Sequence, residues 1–278
     1  MRIRVVHDTI YTYEQPARGL IQVLRLTPRD HDGQHVREWR IEPSVDGRLT
    51  AREDGFGNIV HWFTADEAAD ALTVRVTGEV ETFDTAGIVR GAVERLPEPF
   101  YLRETPLTEP SPEIQAFAHE TTSGGAGERL SVLHKLLAAI PERVAFEPGP
   151  TSASTTASAS FEAGKGVCQD MAHVFIAAAR HLEIPTRYVS GYVRSEEEVD
   201  EQRTGHAWAE ALVPGLGWVG FDAAHGISTT DAHVRVAIGL DYLGAAPIRG
   251  SRVGGGTEGL EVRLRVDEAM LAQSQSQG

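Results

Sequence analysis

The chain has 278 residues, 41% of them hydrophobic, and its 26 basic and 40 acidic residues leave a net charge of −14 with histidine neutral. That balance, without a basic stripe, argues against binding nucleic acid or an anionic membrane surface, which require clustered Lys and Arg. A single cysteine excludes an internal disulfide, MRIRVVHDTI has no apolar signal core, and no apolar run nears the about 18 residues of a membrane span; the expectation is a cytoplasmic protein that does not engage a membrane.

Residues 2–83 read as strands. RIRVVHDTIYTY, GLIQVLRLTP, HVREWRIEP, NIVHWFTA and ALTVRVTGEVETF alternate or cluster β-branched and aromatic residues. Turn signals separate them at Thr27-Pro28, Asp32-Gly33, Asp46-Gly47 and the run Asp54-Gly55-Phe56-Gly57-Asn58. Short strands between turns predict an antiparallel β-sandwich-like domain over residues 1–90.

The pattern changes after residue 90, where Pro97, Pro99, Pro106, Pro110 and Pro112 mark a connector. Ser111 is a candidate N-cap with Pro112 at the first helical position, and residues 131–140 form an apolar helix that Pro141 should stop. TSASTTASAS, residues 151–160, has a linker-like composition. A short helix capped by Thr155 or Thr156 and ended by Gly164 is favoured, because Phe161 needs burial. Residues 168–182 are the strongest helix, with Met171, Val174, Phe175, Ala178, Ala179 and Leu182 at helical spacing. Strands follow at 187–194, 206–213 and 217–222, the first two separated by the acidic, solvated stretch 195–204. Residues 234–266 look mixed. The Gly254-Gly255-Gly256 turn, lacking the Lys-Ser/Thr of a phosphate-binding loop, leads into the alternating strand LEVRLRV, and the polar tail from about residue 269 should fray.

The one cysteine, Cys168, opens the strongest helix behind the turn Gly164-Lys165-Gly166. A helix N-terminus carries about half a positive charge and free N–H groups, which favour the reactive thiolate. A lone cysteine is more often a small buried hydrophobe, and a strand histidine is usually structural. Acyl-transfer chemistry needs, besides the thiol, a histidine to activate it, a group to orient the histidine, and N–H donors for the oxyanion. His206 starts one strand and Asp222 ends the next, joined by the tight turn Pro214-Gly215-Leu216-Gly217, so antiparallel pairing would set them side by side. The backbone N–H of Cys168 is one candidate oxyanion donor. A metal centre built from Cys168, His206, His225 and His233 has no CxxC or HExxH spacing to support it, and neither a metal nor a cofactor is expected.

GKGVCQDMAHVFIAAARHLEIPTRYVSGYV and then GHAWAEALVPGLGWVGFDAAHG resemble the bacterial transglutaminase-like superfamily of candidate cysteine proteases. The strand-rich start, with DGFGN at 54–58, resembles that family's N-terminal β-domain, and the segment after 226, with GLDYLGAAPIRGSRVGGG, its C-terminal portion. The resemblance implies an α+β chain: an N-terminal β-domain over 1–90, then a papain-like, transglutaminase-like core over 91–278 with C-terminal strands. It implies a triad of Cys168 as nucleophile, His206 as general base and acid, and Asp222 as orienter. Gln169, Trp208 and His225 would bind substrate or shape the site. Asp170, His173 and Tyr188, also in the matching blocks, read as supports of helix and strand.

The family usually has FDPTNG where this chain has FDAAHG at 221–226. Losing the proline loosens the loop, and His225 in place of asparagine adds a titratable group. The expected function is thiol-dependent acyl transfer on peptide or isopeptide amide bonds of a peptide or protein substrate. Hydrolysis is favoured over transamidation, since cross-linking needs a site that admits an amine and suppresses water. The other reading is a non-catalytic peptide-binding or scaffolding module, motivated by the altered loop.

Overall fold

The computed structural model describes residues 1–123, 125, 127–148, 152–194 and 205–269. The acidic stretch 195–204 and the tail from 270 lie outside these residues. Five strands come first: β1 (Arg2–Thr27), β2 (Gln34–Pro43), β3 (Gly47–Glu53), β4 (Ile59–Ala65) and β5 (Ala69–Thr82). The two strand-like patches at 2–13 and 19–28 are one strand of 26 residues rather than two. Gly19, at φ +56°, and two register shifts bend β1 without ending it. Its first half pairs with β5 and its second with β4. Leu20, Leu24, Leu26 and Phe63 of one half then pack on Leu72, Val74 and Val76 of the other, so the bent sheet closes over its own core. Strand β3 carries no sequence signal because every residue in it is exposed, leaving no in–out alternation to read.

The second half begins with β6 (Ile88–Val89), a 3₁₀ turn (Glu98–Leu102), α1 (Pro112–Thr122) and α2 (Arg129–Arg143). Then come β7 (Ala145–Phe146), α3 (Ala157–Ala163), β8 (Lys165–Gly166) and α4 (Cys168–His181). Strands β9 (Thr186–Val193), β10 (His206–Val213), β11 (Gly217–Asp222), β12 (Ile227–Ser228) and β13 (His233–Gly239) form a sheet in the order β12-β11-β10-β9-β13, with β6 on β11. A short α5 (Tyr242–Ala245) precedes β14 (Ile248–Gly254) and β15 (Glu258–Glu268).

The caps behave as their residue types dictate. Ser111 Oγ accepts from Ile114 N–H, Thr156 Oγ1 accepts from Ala159 N–H at 3.1 Å, and Gly164 ends α3 at φ +67°. Pro141 does not stop α2, which runs on to Arg143. The proline sits in the last turn, where its missing N–H removes one hydrogen bond near an end that frays in any case.

The C-terminal strands belong to the first sheet rather than packing with the core. β14 pairs with the second half of β1 and β15 with the first half, running alongside β1 as one interrupted strand. Gly254, Gly255 and Gly256, at φ +72°, +90° and +64°, make the interruption at the bend of β1, where Glu14 and Gln15 N–H reach Thr257 and Gly255 carbonyls. The two halves are also tied through β13. Asn58, the last residue of DGFGN, bonds both N–H and C=O of Ile238 at 2.8 Å, and Gln34 does the same to Arg235 at 2.8 and 2.9 Å. These amides cover an edge strand that would otherwise expose unpaired backbone groups. No helix among the described residues is long and apolar enough to cross a membrane.

Candidate active site

Three alanines set the distance between helix and sheet. Ala207, Ala209 and Ala211 of β10 share a core with Met171, Val174, Phe175 and Ala178 of α4, and small side chains let the helix approach closely. The N-terminus of α4 is held by Asp170, whose Oδ2 accepts from Val167 N–H at 2.9 Å. Cys168, partly buried, opens the helix, and Gln169 beside it is also partly buried. His173 and Tyr188 support the assembly from behind. His173 Nε2 accepts from Tyr242 N–H at 3.0 Å, its ring lies 5.1 Å from that of Tyr188, and burial pushes its pKa down to about 4, so it is neutral.

Ala209 pairs with Phe221, which sets Asp222 across from Trp208 and diagonal to His206 on one face of the β10–β11 pair. His206 Nε2 donates to Asp222 Oδ2 at 2.7 Å, which leaves the other ring nitrogen for the Cys168 thiol, near enough to the ring to raise its pKa. Burial lowers the pKa of His206, but the hydrogen bond to Asp222 and the influence of Asp222 and Cys168 on the ring outweigh it, pushing the value up to about 10. The structure therefore brings Cys168, His206 and Asp222 together from three elements.

Asp222 is fully buried and holds five donors. Ala224 and His225 N–H reach Oδ1 at 3.1 and 3.3 Å; His206 Nε2, His225 Nδ1 and His233 Nε2 reach Oδ2 at 2.7, 2.7 and 3.0 Å. Burial opposes the charge, yet the three histidine hydrogen bonds hold the carboxyl well below its ordinary range. His233 Nδ1 accepts from Thr230 N–H at 3.1 Å, which leaves its Nε2 as the donor to Asp222. Local sequence gives no sign of this contact: His233 starts β13, three strands from β11, and only the loop 223–232 crossing the sheet end delivers it. The loop FDAAHG also keeps its hold on the carboxylate through backbone N–H groups that need neither proline nor asparagine.

Trp208 is buried, its ring edge-on to His233 at 5.3 Å and tilted against His206 at 6.1 Å. His225 is half-exposed, its ring 4.9 Å from that of His206. Gly191, opposite His206 on β9, makes room for the indole: a Cβ there would meet Val234 O and the far edge of the Trp208 ring. Gly191→Ala is expected to cost about 1–3 kcal/mol in urea unfolding and to shift the tryptophan emission, by displacing Trp208.

Residues 3–81 match the bacterial transglutaminase-like N-terminal region, and residues 115–223 match the transglutaminase-like superfamily. The chain therefore has a transglutaminase-like core, preceded by a sheet domain that matches the bacterial N-terminal region. It is 28% identical over 286 residues to an uncharacterized protein of Mycobacterium leprae, covering 95% of this chain and 98% of the relative. An uncharacterized protein of Mycobacterium tuberculosis is 28% identical over 278 residues, covering 90% and 87%. A candidate cysteine protease from Cytophaga hutchinsonii, known from its crystal structure, shares the fold: TM-score 0.77 and 21% identity over 99% of this chain and 92% of that one.

Proposed function

We propose that the protein is a thiol acyl-transfer enzyme acting on peptide or isopeptide amide bonds. The observation that carries this reading is the position of His206, hydrogen-bonded to the buried Asp222 carboxylate and close enough to Cys168, at a helix N-terminus, for the sulfur to raise its pKa. A raised imidazole pKa favours an imidazolium–thiolate pair. Cys168 Sγ adds to the amide carbonyl, and the tetrahedral oxyanion meets the free N–H groups of the first helical turn. His206 protonates the departing nitrogen, the C–N bond breaks, and a thioester remains. Water, giving its proton to His206, then adds to the thioester, releases the acid and restores the thiol. An amine in place of water gives transamidation. Hydrolysis is favoured because water needs no dedicated subsite. Asp222 orients the ring, and Gln169, Trp208 and His225 shape the surroundings.

The test is iodoacetamide labelling of Cys168 across pH, in wild type and His206→Ala. Fast labelling is expected to persist well below the ordinary thiol pKa of about 8.5 and to be lost in the variant. Slow labelling with an ordinary thiol profile in both proteins would overturn the enzyme reading and leave a peptide-binding module.

A further inference from the structure

The arrangement around Asp222 exceeds what a triad requires. One orienting contact to His206 suffices for acyl transfer, yet His225 supplies a second imidazole nitrogen to the same oxygen at the same 2.7 Å. One ligand atom from each of His206, Asp222 and His225 lies within 4.8 Å of the other two. Two imidazole nitrogens and one carboxylate oxygen are a donor set suited to zinc and its neighbours rather than to calcium or magnesium, which take oxygen ligands. The half-exposed ring of His225 forms the solvent side of the group, so an ion can enter there and keep water in its fourth position.

We propose that His206, Asp222 and His225 form an inhibitory site for a divalent transition-metal ion, with zinc as the type ligand. Bonds of about 2.0–2.1 Å at tetrahedral angles set ligand atoms about 3.3 Å apart. The two hydrogen bonds to Asp222 therefore open by about half an ångström, a movement the exposed His225 ring can largely supply. Each nitrogen first gives up its N–H. His206 releases its Nε2 proton to solvent and keeps the one on Nδ1; His225 moves its proton to its own Nε2. The metal then occupies the place of the Asp222–His206 hydrogen bond. His206 can no longer hold two protons, so the cysteine loses its cationic partner. That silencing rests on the acyl-transfer reading; the coordination itself does not.

Zinc chloride titrated calorimetrically into Cys168→Ser/His181→Ala protein tests the site. The first change removes thiol coordination, and the second breaks the exposed His119–His181 pair, whose Nε2 atoms lie 3.0 Å apart and compete for metal. Binding of one zinc per chain is expected, weakened at least about tenfold when His225→Asn or His225→Ala is added, since even an outer partner of a metal site is worth that much. Absence of saturable binding, or an affinity that neither His225 variant changes, would overturn the proposal. With Cys168 intact, zinc is expected to slow iodoacetamide labelling and a chelator to restore it, with His225→Asn needing at least about ten times more zinc. If zinc binds as expected but labelling is ordinary and unaffected by His206→Ala, the metal site stands and the acyl-transfer reading fails. If labelling is fast and zinc does not bind, the reverse holds.

Discussion

Asp222→Ala is expected to destabilise the protein by about 2–6 kcal/mol and to remove the fast phase of Cys168 labelling. The stability figure follows from what the substitution strands. Two N–H donors on buried rings, His206 Nε2 and His233 Nε2, lose their acceptor, and each orphaned donor costs about 1–3 kcal/mol. The half-exposed His225 can turn to water and adds little. Asp222→Asn separates the two effects. Its amide oxygen can still accept from some of the donors, so it should unfold at higher urea than Asp222→Ala. Without the negative charge it cannot hold His206 as a cation, so labelling should still slow. An Asp222→Asn protein that labels as fast as wild type would sink the orienting role.

The same site sets the pH range over which it contributes to stability. His206 has a folded pKa raised from 6.5 to about 10, so its contribution is complete below 6.5 and is lost as the pH rises through about 10. Asp222 is shifted the other way. Its contribution is complete above the ordinary value of 3.8 and is lost as the pH falls below that value. Urea midpoints measured from pH 3 to pH 10 should therefore show Asp222→Ala differing most from wild type between about 4 and 6.5 and converging toward it at both ends.

Glu210→Ala should be among the most destabilising substitutions, at about 3–5 kcal/mol. Glu210 is fully buried on β10, accepting from Arg187 Nε at 2.7 Å and from Arg235 Nε at 2.7 Å. Arg187 is itself fully buried over the Trp218 ring at 4.0 Å, with Glu94, 2.8 Å away, as its other anion. Removing Glu210 leaves Arg187 with only the partly exposed Glu94 and takes from Arg235 its carboxylate, and a buried charge without a partner is what makes breaking such pairs costly. Burial raises the pKa of Glu210, but Arg235 and Arg187 outweigh it and bring the value to about 2, so the contribution is full above 4.5 and lost as the pH falls toward 2. Glu210→Met with Arg187→Met should recover much of the loss, because an apolar pair of similar volume avoids desolvating charge. A Glu210→Ala protein within 1 kcal/mol of wild type in urea unfolding would show that water reaches the arginines.

What the sequence determined by itself is local. Cap chemistry placed the start of α1 at Ser111, the start of α3 at Thr155 or Thr156, and its end at Gly164. Apolar periodicity located α4, and the turn 214–217 between alternating runs fixed the pairing that sets Asp222 beside His206. The single cysteine at a helix start, with a histidine and an aspartate on strands joined by a tight turn, pointed to one site. These features are readable because each depends on residues a few positions apart. The rest depended on distant segments meeting. That β1 runs unbroken for 26 residues follows from β14 and β15 bending with it from the far end of the chain. That DGFGN covers the edge of β13, that Arg187 and Arg235 share Glu210, and that His233 joins His206 and His225 on one carboxylate oxygen all depend on strand order and on a loop crossing the sheet end. Strand order is set by closing the core as a whole, and no local pattern of residues records which strand will be the neighbour.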